Sequence, residues 1–177
     1  SKDGMGSIKN NNMEIINEYL HKSKQVPKHW FKYFNIKNGI YNFRTLFLLS
    51  WRHFVGFFDS HLANSYLKTT FSEVWDREEE LLNKVSSNKF RTREDVNQWL
   101  FRYWQLASGN FYPRNTSIGK YYYLTNNNSK IFDEIREQKY KMVCINDNGD
   151  IEDFNKQKEL LREAFNKILP ERSSYEI

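Results

Sequence analysis

Residues 86–113, SSNKFRTREDVNQWLFRYWQLASGNFYP, hold a helical period, a stop signal and four closely spaced large aromatics, and the rest of the chain reads as their setting. Thr92 stands where a cap is needed and Asp95 follows three residues on, the spacing at which side chains satisfy the free N–H groups of a first helical turn. Gly109 supplies the stop. Between them Val96, Trp99, Leu100, Tyr103, Leu106 and Ala107 recur at helical spacing, and Phe101 and Trp104 make much of the remaining circumference apolar. That pattern predicts a buried helix. Arg91, Asp95, Gln98, Arg102 and Gln105 fall at steps of three or four and predict one polar line along it. A buried polar line needs partners, which are either an internal seam of side chains or a polar ligand.

At 177 residues the chain is long enough for a real hydrophobic core. Its 14 Phe, 11 Tyr and 5 Trp exceed what a minimal core requires, so some rings are expected on a binding surface. The net charge of +5 suits an anionic partner, although the cations are dispersed among many acids. Cys144 is the single cysteine, which excludes an intrachain disulfide and fits a reducing compartment. The opening SKDGMGS has neither an initiating methionine nor a basic-then-apolar signal pattern and reads as an internal piece of a longer protein. The most apolar run, residues 45–58 (TLFLLSWRHFVGFF), is interrupted by Arg52 and His53. It falls short of the roughly 20 residues a bilayer span needs, so it is expected to be buried, with interfacial membrane attachment as the lesser reading.

In chain order, Asn10, Asn11 and Asn12 ahead of Met13, Ile15, Ile16, Tyr19 and Leu20 predict a capped amphipathic helix, and Pro27 closes the connection after it. Residues 28–42 alternate bases with rings, a pattern that grips phosphates or, as the favoured reading, packs as a core helix with outward lysines. Thr70 and Glu73 have capping-box spacing, and the acidic run 76–80 reads as solvated surface. His61 falls in a loop ahead of that helix, where an imidazole can meet a substrate. Residues 121–124 predict a short strand, 129–135 a helix, and 141–145 (KMVCI) the best strand in the chain. A last helix carries Phe154, Leu161, Ala164, Phe165 and Ile168 and stops before Pro170. Ligands of open α/β folds sit at the carboxyl ends of strands, which gives Asn146 and Asp147 a functional address. The turn 146–150 is no EF-hand, because a glycine at loop position six would put Cys144 at position one. CxxC, HExxH, glycine-rich phosphate-loop and GxSxG patterns are also missing from the sequence.

Residues 60–75 (SHLANSYLKTTFSEVW), 88–111 (NKFRTREDVNQWLFRYWQLASGNF), 141–154 (KMVCINDNGDIEDF) and 169–176 (LPERSSYE), taken in order, resemble the back half of the Stealth family. These are hexose-1-phosphate transferases that build bacterial capsular polymers. The resemblance covers most of the chain, including its NNNMEIIN opening, and matches conserved region three at about 60–111 and conserved region four at about 141–176. It implies a mainly helical α/β fold: the C-terminal part of a nucleotide-sugar transferase domain with few strands, a single partial catalytic domain over residues 1–177. The earlier conserved regions, with their essential acids, are not in this sequence, so this fragment alone is expected not to turn over.

The implied reaction moves a hexose or hexosamine 1-phosphate from a nucleotide sugar to a sugar hydroxyl of a capsular polysaccharide. By resemblance His61 is the catalytic histidine and Arg91 the arginine of the Lys-Phe-Arg motif, a fixed cationic fork for the diphosphate. Asp95 is expected to orient Arg91 or touch substrate, Asn146 and Asp147 to hold donor or help place a divalent cation, Mg2+ by resemblance, and Lys68 is a weaker phosphate candidate. Ala63 departs from the family pattern, which has a proline there, and leaves the His61 loop less rigid. The implied partners are a nucleotide-sugar donor, a glycan acceptor and the N-terminal half of the same enzyme. No nucleic acid is expected; the implied location is cytoplasmic, with peripheral association at the inner face of a bacterial membrane. A rival reading from another class is a non-catalytic module binding a polyanion or carbohydrate through residues 28–42, recognisable by steep salt dependence.

Overall fold

The aromatic spacing around Trp104 does fold as a helix, but a shorter one than the sequence pattern predicts. In the computed structural model, which describes residues 2–147, 149 and 151–175, that helix runs Trp99–Ala107. The chain divides into two compact units, one of residues 1–59 and 64–115 and the other of residues 60–63 and 116–177. The first unit holds α1 (Lys2–Tyr19), α2 (Lys22–Lys28), α3 (Trp30–Tyr33), α4 (Tyr41–Phe47), α5 (Lys68–Arg77), α6 (Glu79–Ser87) and α7 (Trp99–Ala107). The second holds β1 (Gly119–Tyr123), α8 (Ser129–Arg136), β2 (Met142–Asn146) and α9 (Phe154–Ile168). No helix among the described residues is long and apolar enough to cross a membrane.

Helix α7 starts seven residues after Thr92 because α1 takes the backbone groups a longer helix would use. The Asn11 amide donates to the carbonyls of Arg93 and Asp95, both at 2.9 Å. Asn12 is fully buried, donates to the Asn97 side chain at 2.9 Å and accepts from the Asn97 N–H at 3.3 Å. Asparagine side chains that satisfy backbone groups in this way compete with helical hydrogen bonding. Asn10, Asn11 and Asn12 therefore do not cap α1, which begins at Lys2; they lie inside it, and two of them fasten the loop before α7. At its other end α7 stops as the sequence requires. The Gly109 N–H bonds the Leu106 carbonyl at 3.3 Å and the Asn110 N–H bonds Gln105 at 2.8 Å, the paired bonds of a Schellman motif. Gly109 has φ +74°, and a Cβ there would come within 2.3 Å of the His29 ring.

Trp104 is the largest fully buried side chain of the first unit's core, where it meets Leu100, Val74, Ile16 and the tilted ring of Tyr19 at 5.5 Å. Phe101 stacks on Phe71 of α5 at 3.9 Å, and the Arg77 guanidinium covers both Tyr19 and Trp104. Of the polar line, Gln105 is internal: it is 2 % exposed, accepts the Leu67 N–H at 2.9 Å and donates to Ser65 and Asn110 carbonyls, whereas Gln98 is exposed and Arg102 half-buried. Arg91 and Asp95 precede the helix and are not part of that line.

Three other expectations change. Helix α5 begins at Lys68, so Thr70 is a buried interior residue and no capping box forms with Glu73. Pro27 lies within the last turn of α2. Segments 28–42 and 45–58 are core only in part: Phe54 is buried in it and Tyr33, Phe34, Leu49 and Phe57 pack against it, but Phe31, Ile36, Ile40, Phe43, Leu46, Phe47, Trp51 and Phe58 are exposed. The helices there are four and seven residues long and are separated by a 3-10 turn and Gly39, so no apolar period persists long enough to bury one face.

In the second unit the two predicted strands pair in parallel, Gly119 with Met142 through Tyr123 with Asn146, and α8 makes the crossover between them. Parallel neighbours need such a connection. Phe132, Ile135 and Ala164 form the core between α8 and α9, with Ile145 of β2 packed on it. Tyr122 is buried on the same side and donates to the Glu134 carboxylate, whose other oxygen takes Lys139 at 2.6 Å. Those two bonds hold Glu134 below the usual carboxylate range and Lys139 above the usual lysine value. Asn128 accepts the Thr125 N–H at 2.8 Å and donates to Gln157 of α9 at 2.8 Å, tying the turn after β1 to the last helix. Asp153 caps α9 by accepting the Lys156 N–H at 2.9 Å.

Candidate active site

Strand alternation sends Tyr122 to the helix-covered face of the sheet and therefore Tyr121 and Tyr123 to the other. On that open face His61 stacks on Tyr121, ring centroids 4.6 Å apart and planes at 29°. Tyr123 meets Tyr121 edge-on at 4.8 Å. The side-chain bond with Tyr123, aided by burial, pushes the Tyr121 hydroxyl up to about 12. It stays protonated at neutral pH and is a hydrogen-bond donor there. Register places Cys144 opposite Tyr121 and Asn146 opposite Tyr123, so His61 stacks at the middle of β1 and Asn146 pairs with Tyr123 at its carboxyl end.

Asn146 and Asp147 are both exposed at the carboxyl end of β2. The Asn146 carbonyl accepts the Leu124 N–H at 3.0 Å, which fixes the strand end. One Asp147 oxygen accepts the Gly149 N–H at 2.8 Å and closes the turn. Asn148 and Asp150 of that turn, and Glu176 of the fourth-region motif, lie outside the described residues. Among the described residues no group of three or more His, Cys, Asp and Glu side chains is gathered as a metal cage.

The first unit carries Arg91, Asp95 and Lys68. Asp95 is 4 % exposed, and both its oxygens are engaged: one takes the Thr92 N–H at 2.8 Å, the other the Thr92 hydroxyl at 2.7 Å and the Asn88 amide at 2.9 Å. The Thr92 backbone and hydroxyl bonds hold its carboxyl below the usual range against the opposing effect of burial. No ion pair joins Asp95 to Arg91 among the described residues; Asp95 closes the 88–95 loop on which Arg91 stands. The Arg91 guanidinium is exposed, with Nη1 at 3.4 Å from the Met5 sulfur of α1. Lys68 is exposed in the first turn of α5.

His61, Asn146 and Asp147 thus lie in the second unit, and Arg91, Lys68 and Asp95 stand in the first. Sequence reasoning missed Tyr121 and Tyr123, although the alternation of a Tyr-Tyr-Tyr strand places its first and third rings on one face. It also missed Asn11 and Asn12, read as a cap when they are tethers.

Residues 133–177 match the family model for conserved region 4 of the Stealth proteins. The chain is 45 % identical over 166 residues to the capsular polysaccharide phosphotransferase WcwK of Streptococcus pneumoniae, an alignment covering 94 % of this chain and 50 % of the relative. It is 36 % identical to the exopolysaccharide phosphotransferase cps2G of Lactiplantibacillus plantarum, over 94 % of this chain and 49 % of that protein. With the receptor polysaccharide phosphotransferase WefC of Streptococcus oralis the identity is 33 %, over 98 % of this chain and 52 % of the relative. No solved structure matches the chain. This mainly helical α/β chain is thus similar to Stealth proteins in its fourth conserved region and to these phosphotransferases over most of its length. It spans about half the length of the curated relatives it matches, which are named as capsular, exopolysaccharide and receptor polysaccharide phosphotransferases.

Proposed function

We propose that this chain is half of a sugar-1-phosphate transferase that moves a hexose or hexosamine 1-phosphate from a nucleotide sugar to a hydroxyl of a capsular glycan. The observation that carries the reading is the 45 % identity to a capsular polysaccharide phosphotransferase over 94 % of the chain. In the transfer, the acceptor hydroxyl oxygen forms a bond to the sugar-bearing phosphorus and the bond from that phosphorus to the nucleoside phosphate breaks. A phosphodiester and a nucleoside monophosphate result. His61 takes the hydroxyl proton, its ring plane fixed by the stack on Tyr121. Arg91 supplies a permanently cationic fork to the diphosphate oxygens, with Lys68 as a second cation. Asp95 acts through the loop that presents Arg91, since its own oxygens are engaged.

Asn146 and the second oxygen of Asp147 fit a magnesium ion shared with substrate phosphates, a hard cation usually held by one or two carboxylates and completed by phosphate and water. When bound, the ion would neutralise phosphate charge. The other half of the enzyme completes the site, and this chain alone does not turn over. The site of action is the cytoplasmic side, at the inner face of the membrane.

Calorimetric titration of the 177-residue chain with uridine and cytidine diphosphate sugars, with and without magnesium, tests the donor assignment. Binding weakened at least tenfold by Arg91→Ala is the expected result. In the whole enzyme, near-normal transfer by His61→Ala would show that the imidazole is not the base, and near-normal transfer by Arg91→Ala that the guanidinium does not hold the diphosphate.

A further inference from the structure

Residues 19–58 contain seven lysines and arginines and three histidines without one aspartate or glutamate, although the whole chain carries 22 acids. The next acid along the chain, Asp59, is occupied by Lys9 at 2.5 Å and the Tyr103 hydroxyl at 2.8 Å. Lys24, Lys28, Lys37, Arg44 and Arg52 are exposed and form no ion pair among the described residues. The same stretch displays apolar side chains rather than hiding them. Ile36 in the 3-10 turn, Ile40 ahead of α4, and Phe43 and Phe47 within it are 92, 77, 67 and 79 % exposed. Leu46 and the tryptophans Trp30 and Trp51 extend the exposed set.

This surface is built, not loose. The buried Lys22 ammonium donates to the carbonyls of Leu48 and Trp51, pinning the chain after α4. Asn42 donates to Asn35 at 2.9 Å, and Asn17 both donates to the Phe54 carbonyl and accepts its N–H. An apolar patch of this kind on a fixed backbone marks an interaction site. The cations left unpaired among the described residues suit an anionic partner. Isoleucine and leucine have no flat face on which a base or sugar ring can stack, so a soluble polyanion would gain nothing from Ile36, Ile40 and Leu46. A second copy would bring the same cations. A lipid surface rewards both features at once, since apolar side chains enter the acyl boundary while lysine and arginine meet the headgroups, and two such signals together give stable attachment.

We propose that residues 30–58 are the face by which this protein docks on an anionic lipid bilayer, with Ile36, Ile40, Phe43 and Phe47 inserted and Lys37, Arg44 and Arg52 at headgroup level. The proposal deepens and rests on the membrane-side placement above. Its readout is lipid binding, not sugar-phosphate transfer, so either can fail while the other stands. The test is flotation with vesicles of phosphatidylcholine alone or with one-third phosphatidylglycerol, using both the 177-residue chain and the whole gene product. Both should float with the anionic vesicles and bind neutral ones at least tenfold more weakly. The variant Ile36→Ser/Ile40→Ser/Phe47→Ser, with an unchanged circular dichroism spectrum, should lose at least tenfold in binding, and Lys37→Glu/Arg44→Glu should lose as much through charge alone. The single variant Phe47→Ser serves if the triple one does not fold, with a loss of at least threefold expected. Failure of the whole gene product to float, equal binding to both vesicle types, or undiminished binding by the folded serine variants would overturn the proposal.

Discussion

At Asp95 a single carboxylate organises the loop that carries Arg91, taking the Thr92 N–H, the Thr92 hydroxyl and the Asn88 amide while being almost wholly covered. Those bonds favour the charged form, so its folded pKa lies below the unfolded value of about 3.9. The stabilisation is therefore fully present above the unfolded pKa and is lost as pH falls through the folded one. The urea midpoint followed by tryptophan fluorescence should fall more steeply for the native protein than for Asp95→Asn between pH 5 and pH 3. Parallel curves would mean that the Thr92 bonds do not depend on the charge. The sequence pointed to the pair Thr92 and Asp95 by their spacing, and they do bond. It misplaced the helix start, because a cap and a loop closure share that spacing and only the asparagines of α1, some 80 residues away, decide between them.

Helix α7 and strands β1 and β2 were legible because each is long enough relative to its period for one face to be assigned, and because Gly109 stops the helix in the conformation glycine favours. Gly109→Ala tests that element. The substitution places a Cβ against the His29 ring and forces alanine to φ +74°, and is expected to cost about 2–4 kcal/mol in chemical denaturation. A cost below about 1 kcal/mol would mean that His29 moves aside freely. Segments 28–42 and 45–58 misled for the opposite reason: their apolar residues are numerous, but Gly39 and 3-10 turns break the period, and composition alone does not say which side faces water. The face of the candidate site on β1 was readable in principle from alternation. Its histidine stack was not, since His61 reaches Tyr121 across 60 residues of chain.

Each unit has its own core, Trp104 with Leu100, Val74 and Ile16 in one, Phe132 with Ile135 and Ala164 in the other. The chain passes from the first to the second at residue 60, returns at 64 and crosses again at 116, so the four residues that include His61 belong to the second unit while their flanks belong to the first. That arrangement makes the two cores separately addressable by spectroscopy. All five tryptophans, at positions 30, 51, 75, 99 and 104, are in the first unit, whereas the second reports only through tyrosine and its helices. Phe132→Ala removes a ring that is 3 % exposed between α8 and α9, and a buried phenylalanine truncation costs about 3–5 kcal/mol. Applied to a core that excludes tryptophan, it should bring an early phase into the urea curve followed by far-ultraviolet circular dichroism and leave the tryptophan fluorescence midpoint where it was. A common shift of both curves would instead mean that the units unfold as one cooperative body, and that the strand end bearing Asn146 and the loop bearing Arg91 draw their stability from a single transition.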